Sequence, residues 1–303
     1  MAELGVDIAG VHFRNPIIAA SGTIGFGREY SEFYPLSVFG GISCKATTLR
    51  ERKGNPPPRI AETPMGMLNA VGLQNPGVEH FIEHDLPWLR QQDTVVIANV
   101  AGSTQEDYCR TVELLSESEI DMIELNISCP NVKEGGVQFG TSCESVAAIT
   151  KAVRACCKKP LIIKLSPNVS DIASIARAAE SEGADAVSLI NTLTGMRIDI
   201  NTRRPVIANI TGGMSGPAVF PVAVRMVWQV RNAVSIPVIG MGGITTWKDA
   251  VEMLMAGADA IQIGTALFTD PYSPVKIAKG LEEYLDEKGI GSVRELTGSV
   301  ITG

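Results

Sequence analysis

Eight short apolar runs, rich in β-branched residues, recur along this chain with segments of helical spacing between them. The runs cover residues 17–21, 38–47, 94–100, 121–128, 160–166, 185–191, 236–243 and 259–265. Each is almost continuously hydrophobic, as expected for strands of a parallel sheet that is buried on both faces. Strand and helix alternating about eight times are typical of a (β/α)8 barrel. A doubly wound open sheet is the alternative, although such a sheet rarely continues for eight units.

The segments between the runs show helical periodicity. Tyr108, Val112 and Leu115 form an apolar stripe in the first of them, and Gly183 and Gly257 are candidate helix ends. The spacing predicts helices over 104–118, 143–158, 171–182, 217–233 and 245–256.

The chain has 303 residues, of which 45% are apolar and 19% charged, so it can bury a large core. No linker or low-complexity segment divides it. Two longer interruptions, 48–75 and 192–216, follow the second and sixth runs. We therefore predict an α/β protein of a single domain, residues 1–303, with inserted loops over the C-terminal face of a TIM barrel.

Charge and composition argue against several classes of protein. The net charge of -7 and the lack of Lys or Arg runs argue against nucleic-acid binding. The N-terminal stretch resembles neither a signal peptide nor a membrane anchor, so we expect a cytoplasmic protein. The six cysteines have no C-x-x-C spacing and are expected to be free thiols. His80 and His84 fit an exposed helix face better than a metal site, and no metal is expected.

Polar residues stand where several apolar runs end, which in a barrel is the face that carries the active site. They include two lysines and three asparagines: Lys45, Asn99, Asn126, Lys164 and Asn191. A buried ammonium is costly without a partner, so each lysine requires an anionic or acceptor-rich neighbour. The alternative is that each lysine reaches solvent or meets a structural carboxylate. Two lysines together with the asparagines favour a ligand site.

Glycines follow the last two runs, at Gly242-Gly243 and at Gly264-Thr265. Barrels commonly bind phosphate there through backbone N–H groups, and glycine lets the backbone approach closely. Each pair could also be a plain tight turn. Lysines, asparagines and a phosphate site together suit flavin mononucleotide (FMN), whereas a nicotinamide cofactor is less expected because no G-x-G-x-x-G follows the first strand.

Several motifs resemble those of the dihydroorotate dehydrogenases over about residues 4–285. They are ASGTIGFG (20–27), CKATT (44–48), GNPPPRI (54–60), GMLNAVGLQNPG (66–77), ELNISCPN (124–131), NTLTG (191–195), GGMSG (212–216), GMGGI (240–244) and QIGTA (262–266). The first and fourth are most similar to the NAD-linked class 1B branch. The membrane-associated class 2 enzymes have an N-terminal membrane-binding extension and a serine base, and neither is expected here.

This resemblance implies a (β/α)8 barrel that binds FMN and oxidises (S)-dihydroorotate to orotate in pyrimidine biosynthesis. Cys129 would be the base that takes the C5 proton while hydride leaves C6 for the flavin. The implied substrate contacts are Lys45, Asn69, Ala70, Val71, Gly72, Leu73, Asn126, Asn191 and Thr192. The implied FMN contacts are Ser21, Lys45, Ala46, Asn99, Asn126, Lys164, Ile190, Gly216, Gly242, Gly243, Gly264 and Thr265.

The same branch implies a second subunit that carries FAD and a 2Fe–2S cluster and reduces NAD. This sequence has no cysteine cluster suited to such a centre. The resemblance therefore predicts a heterotetramer built around a homodimer of this chain, although fumarate-using relatives leave the electron acceptor open. The alternatives are another flavin barrel acting on a pyrimidine, such as a dihydropyrimidine dehydrogenase fragment or a dihydrouridine synthase, and a non-enzymatic nucleotide-binding barrel. The acidic charge argues against a tRNA substrate.

The segment ELNISCPN also makes a prediction about orientation. Alternation along a strand places Leu125 and Ile127 in the barrel wall and Asn126 at its mouth. Cys129 then begins the following loop, while Cys44 is expected to lie in the core.

Overall fold

Sixteen strands are present in the computed structural model, which describes residues 2–127 and 139–302. In chain order they are β1 (Val6–Ile8), β2 (Val11–Phe13), β3 (Ile17–Ala19), β4 (Gly41–Ser43), β5 (Ile60–Thr63), β6 (Gly66–Asn69), β7 (Val95–Val100), β8 (Met122–Asn126), β9 (Leu161–Lys164), β10 (Ala186–Leu189), β11 (Leu193–Met196), β12 (Ile198–Asp199), β13 (Arg204–Pro205), β14 (Thr211–Ser215), β15 (Val238–Met241) and β16 (Ala260–Ile263).

Eight of these strands close into a parallel barrel in the order β3, β4, β7, β8, β9, β10, β15 and β16, with β16 pairing back onto β3. Each of the eight falls within one of the eight predicted apolar runs, so the (β/α)8 barrel is confirmed. The strands are shorter than the runs. Only Gly41–Ser43 of the run 38–47 is a strand, because the run begins at the end of a 3-10 turn, Leu36–Val38. The prediction of a single domain over residues 1–303 stays a prediction.

Nine helices lie in the described part of the chain. They are α1 (Val78–His80), α2 (Leu86–Leu89), α3 (Gln105–Ser116), α4 (Cys143–Cys156), α5 (Ile172–Ser181), α6 (Phe220–Arg231), α7 (Trp247–Met255), α8 (Ala266–Thr269) and α9 (Ser273–Lys288). A π-helical turn, Phe81–Asp85, joins α1 to α2. 3-10 turns cover Tyr30–Glu32, Leu36–Val38, Pro217–Val219 and Val293–Leu296.

The five predicted helices correspond to α3 through α7. Their starting points follow from side-chain capping: Thr104, Ser142 and Thr246 each form a capping box at the N-terminus of α3, α4 and α7. The apolar stripe of α3 is buried. Gly183 and Gly257 follow the ends of α5 and α7 in a left-handed conformation, with φ of 92° and 123°. The predicted helix 217–233 begins as a 3-10 turn and becomes α-helical only at Phe220.

The two long insertions form a four-stranded antiparallel sheet, where loops were predicted. Its order is β5, β6, β14 and β11, so strands of the first insertion pair with strands of the second. Asn69 of β6 lies opposite Gly213 of β14. The strands approach very closely: a Cβ added to Gly66 would lie 2.1 Å from the Ser215 carbonyl oxygen. We call β5, β6, β11 and β14 the roof sheet.

No helix in residues 2–127 and 139–302 has the length and apolar composition needed to cross a membrane.

Candidate active site

A cavity of about 250 Å³ lies between the C-terminal ends of the barrel strands and the roof sheet. The roof contributes Met67 and Asn69 from β6 and Met214 and Ser215 from β14. Strand ends contribute most of the remaining lining. The insertions therefore lie over the C-terminal face, as predicted.

Most residues that the sequence assigned to the site line this cavity. They are Ser21, Lys45, Ala46, Asn69, Val71, Gly72, Leu73, Asn126, Lys164, Ile190, Asn191, Thr192, Gly242, Gly243, Gly264 and Thr265. Three others, Ala70, Asn99 and Gly216, are buried close by without lining it. Cys129 lies outside the described residues. What each residue binds stays a prediction.

Sequence reasoning missed other lining residues: Ala20, Gly22, Thr23, Ile60, Met67, Met214, Ser215, Val219, Met241, Gln262 and Phe268. Met67 and Met214 are on the roof sheet, whose strand pairing the sequence did not reveal, and Met241 ends barrel strand β15. Gln262 did carry a signal, because it is a polar residue within an apolar run.

The floor of the cavity is organised around Glu124, a fully buried carboxylate on β8 that was not predicted. Four side chains donate hydrogen bonds to it, namely Ser43 Oγ (2.6 Å), Asn99 Nδ2 (2.6 Å), Ser188 Oγ (2.7 Å) and Gln262 Nε2 (2.7 Å). The Lys164 Nζ lies 3.8 Å from the same carboxylate. We call these six residues the floor network.

The floor network keeps Glu124 ionised. Burial alone raises the pKa of Glu124, but the Lys164 ammonium and the hydrogen bonds from Ser43, Ser188 and Gln262 outweigh it and lower that pKa below its ordinary value. The carboxylate is therefore a permanent charge beneath the cavity at neutral pH.

Both interpretations of a lysine at a strand end, a ligand site and a structural ion pair, apply to Lys164. It meets a structural carboxylate, and it also lines the cavity. Lys45 is half-buried and lines the same cavity, and its Nζ would lie 3.8 Å from a Cβ placed on Gly22. The cavity is thus bordered by two ammonium groups.

Amide side chains occupy the neighbouring strand ends. Asn191 Nδ2 donates to Asn126 Oδ1 at 3.2 Å, and Asn191 Oδ1 accepts from the Thr192 backbone N–H at 2.8 Å. The Tyr108 hydroxyl donates to the Asn126 carbonyl at 2.8 Å and so fixes the end of β8. Neutral donors and acceptors are therefore held beside the two cations.

Glycine is required in the turn after β15. Gly243 has a φ of 79°, and a Cβ there would lie 2.8 Å from both the Phe220 Cβ and the Gly216 carbonyl oxygen. At the end of β16, the Thr265 hydroxyl donates to the Ser215 hydroxyl at 2.8 Å and links the barrel to the roof sheet. These two turns are where barrels commonly hold a phosphate group.

The remaining predictions about thiols and imidazoles can be compared directly. Cys44 is fully buried, and burial raises the pKa of its thiol above the ordinary value, so it is a core cysteine as predicted. Leu125 and Ile127 are buried and Asn126 borders the cavity, which confirms the predicted orientation of ELNISCPN up to residue 127.

His80 and His84 have exposed rings 4.6 Å apart, centroid to centroid. Within the described residues, no three His, Cys, Asp or Glu side chains cluster as metal ligands.

Together, the fold and the cavity define the class of protein. It is a (β/α)8 barrel with a cationic, amide-lined ligand site at the C-terminal ends of its strands, where barrel enzymes have their active sites. The family model described as Dihydroorotate dehydrogenase matches residues 3–285. The chain belongs to this family and, as a member, is an oxidoreductase.

Curated relatives match almost the whole chain. A protein of Phocaeicola vulgatus is 58% identical over 301 residues, and one of Bacteroides thetaiotaomicron is 56% identical over the same length, each match covering 99% of both chains. A protein of Alkaliphilus oremlandii is 54% identical over 298 residues, covering 98% of this chain and 99% of its own. All three are named dihydroorotate dehydrogenase B (NAD(+)), catalytic subunit. The resemblance read from the motifs is confirmed.

Proposed function

We propose that this chain oxidises (S)-dihydroorotate to orotate in pyrimidine biosynthesis, as the catalytic subunit of an NAD-linked dihydroorotate dehydrogenase. The family and the names of the relatives support this proposal. The observation that carries it is the roofed cavity in which Lys45 and Lys164 lie with Asn126 and Asn191. Cations and amides are the groups that recognise a planar carboxylate substrate with carbonyl and N–H edges.

The lining also fits FMN. Lys45 and Lys164 can offer charge to the ring carbonyls and nitrogens, and the glycine turns after β15 and β16 leave backbone exposed to a phosphate. Bound there, FMN would accept the hydride that leaves the substrate. The part of this chain is to hold the two reactants together and to supply positive charge beside them.

The segment 69–73 is suited to hold substrate because it is already ordered. Asn55 donates from Nδ2 to the Ala70 carbonyl at 2.9 Å and from its backbone N–H to the Val71 carbonyl at 3.0 Å. Asn69 is anchored in β6 opposite Gly213. We propose that this segment, with Asn126, Asn191 and Thr192, orients the substrate over the cavity floor, since preorganised donors lose little entropy on binding.

We propose Cys129 as the base, on the resemblance of ELNISCPN and on its place just after β8. An ordinary thiol has a pKa of about 8.5, which is close enough to neutrality for a general base. Cys129→Ala should reduce kcat by about 10²- to 10⁴-fold, and Cys129→Ser should keep partial activity that rises at higher pH. Cys109→Ala, on the outer helix α3, is the matched control and should turn over normally. Normal turnover by Cys129→Ala would remove the base assignment.

The electron acceptor requires a partner. We propose that FAD and a 2Fe–2S cluster lie on a separate subunit, that a homodimer of this chain forms the centre of a heterotetramer, and that the complex is cytoplasmic. The purified chain should then reduce an artificial acceptor with dihydroorotate but should not reduce NAD. NAD reduction by the isolated chain would contradict the partner proposal.

The whole assignment is tested by the absorption spectrum of the purified chain during anaerobic titration. A bound flavin should be bleached by dihydroorotate, and 5,6-dihydrouracil, which lacks the carboxylate, should bleach it far more slowly. Absence of flavin, or a flavin that dihydroorotate leaves oxidised, would contradict the proposal. Bleaching by dihydrouracil alone would favour the alternative of another pyrimidine-oxidising flavin barrel.

A further inference from the structure

Glu124 has no role in the chemistry proposed so far, yet the barrel devotes five side chains to it. Its donors come from four strands, Ser43 on β4, Asn99 on β7, Ser188 on β10 and Gln262 on β16. The fifth partner, Lys164, is on β9 next to β8. Both oxygens of this buried carboxylate therefore have hydrogen-bond donors. Without them, the buried charge would strongly destabilise the fold.

The hydrogen bonds fix the orientation of the carboxylate. Oε2 accepts from Ser43 and Asn99, and Oε1 accepts from Ser188 and Gln262. Each oxygen is thus held by two donors from different strands, so the group cannot rotate without breaking several bonds.

Lys164 connects this fixed charge to the cavity. The side chain is almost completely buried and lies 3.8 Å from Glu124 Oε2, and it also lines the cavity. A buried ammonium is costly unless a counter-charge lies beside it. Glu124 is the carboxylate that provides it.

We propose that Glu124 is a positioning residue that holds the Lys164 side chain in place, directed at the flavin site. This inference rests on the proposed function, because it assumes that Lys164 borders bound FMN. A cation there favours the reduced flavin, which carries more negative charge than the oxidised form. Through Lys164, the floor network sets the affinity of the site for reduced relative to oxidised FMN.

The substitution Glu124→Gln separates this role from a simple effect of charge. If Lys164 stayed in place as an ammonium, loss of a nearby negative charge would raise the midpoint potential of the flavin. If the position of the Lys164 ammonium depends on Glu124, Glu124→Gln lets that cation move away from the flavin, and the midpoint potential falls. The sign of the shift therefore distinguishes the two.

The experiment measures the midpoint potential of bound FMN in the wild type, Glu124→Gln, Lys164→Met and the double variant. We expect each single variant to lower the ratio of reduced to oxidised FMN affinity by about tenfold, which is about 30 mV for a two-electron couple. The double variant should match Glu124→Gln, because both lack the carboxylate charge and a cation held beside the flavin. Glu62→Gln, an exposed carboxylate of the roof sheet, is the control and should leave the potential unchanged.

A raised or unchanged potential in Glu124→Gln, with a lowered one in Lys164→Met, overturns this inference alone. An unchanged potential in Lys164→Met overturns the placement of Lys164 beside FMN and the inference with it. If Glu124→Gln fails to fold, the double variant decides. Recovery of folding supports the inference, because the isolated ammonium is then the cause, and failure to recover overturns it.

Discussion

The floor and the roof of the cavity are built in opposite ways. The floor network brings side chains from five barrel strands onto one carboxylate on a sixth, and every member except Lys164 is at most 1% exposed. The roof sheet comes from two insertions far apart in the sequence. Its strands pack closely at glycines, and alternate residues of β5 and β11 are exposed.

This difference shows what each half can contribute. Buried polar groups must be fully paired, so the floor can hold a charge in a fixed place. The roof sheet is partly exposed and tolerates side chains such as Ile60 and Met196 at its surface. Its contribution is shape: it closes the cavity, and Asn69 of β6 and Thr192, which directly precedes β11, both line that cavity. Changes in the floor should therefore affect stability, and changes in the roof should affect substrate binding.

The largest effect is expected from Glu124→Ala in the floor. The change leaves four donors and the Lys164 ammonium without their shared partner, and breaking a buried ion pair costs about 3–5 kcal/mol. Urea unfolding of the FMN-free chain measures it. Glu62→Ala makes the same change at an exposed position of the roof sheet and should cost less than about 0.5 kcal/mol. Equal losses in the two variants would show that floor and roof do not differ in this way.

A smaller and more selective effect is expected from Gly213→Ala in the roof. A Cβ at this position would lie 2.0 Å from Thr192 Oγ1 and 2.6 Å from its Cβ, so Thr192 must move. Overpacking costs about 1–3 kcal/mol, and a loss of about 1.4 kcal/mol in substrate binding raises KM for dihydroorotate about tenfold.

The affinity of Gly213→Ala for FMN should stay within about twofold of the wild type, a difference of about 0.4 kcal/mol. Gly195→Ala in the same sheet is the control, because its Cβ would meet the movable end of Leu68 at 3.1 Å and Met214 Cβ at an ordinary contact distance of 3.6 Å. A loss of FMN affinity as large as the rise in KM would show that roof and floor bind the ligands jointly.

The sequence was sufficient to predict the strands of the floor. Strands buried on both faces are almost continuously apolar, so each of the eight was visible as a run, and the residues at their ends marked the cavity. Glu124 and Gln262 were visible only as polar residues inside such runs. Their meeting depends on barrel closure and on the register that sets Asn126 of β8 opposite Lys164 of β9. These are non-local quantities that a single sequence does not encode in any short window.

For the roof sheet, only its location over the barrel was predicted. Residues 48–75 and 192–216 were expected over the C-terminal face, and they lie there, but their pairing into one sheet was missed. Glycine-rich strands such as β14 have little alternation of apolar and polar residues, so their register carries a weak signal. The prediction for Cys129 concerns a residue outside the described part of the chain and stays a prediction.

The smallest effect concerns how the roof is anchored, and a pair of isoleucines in the second insertion can measure it. Ile207 is 1% exposed, and a Cβ placed on Gly212 of β14 would lie 2.8 Å from its Cδ1, so its side chain packs directly against the sheet. Ile200, in the turn between β12 and β13, is 86% exposed. Ile207→Val should cost about 1 kcal/mol in urea unfolding, whereas Ile200→Val should cost less than about 0.5 kcal/mol. An equal loss from Ile200→Val would mean that this turn is covered in solution, and the roof would then be more like the floor than its exposure indicates.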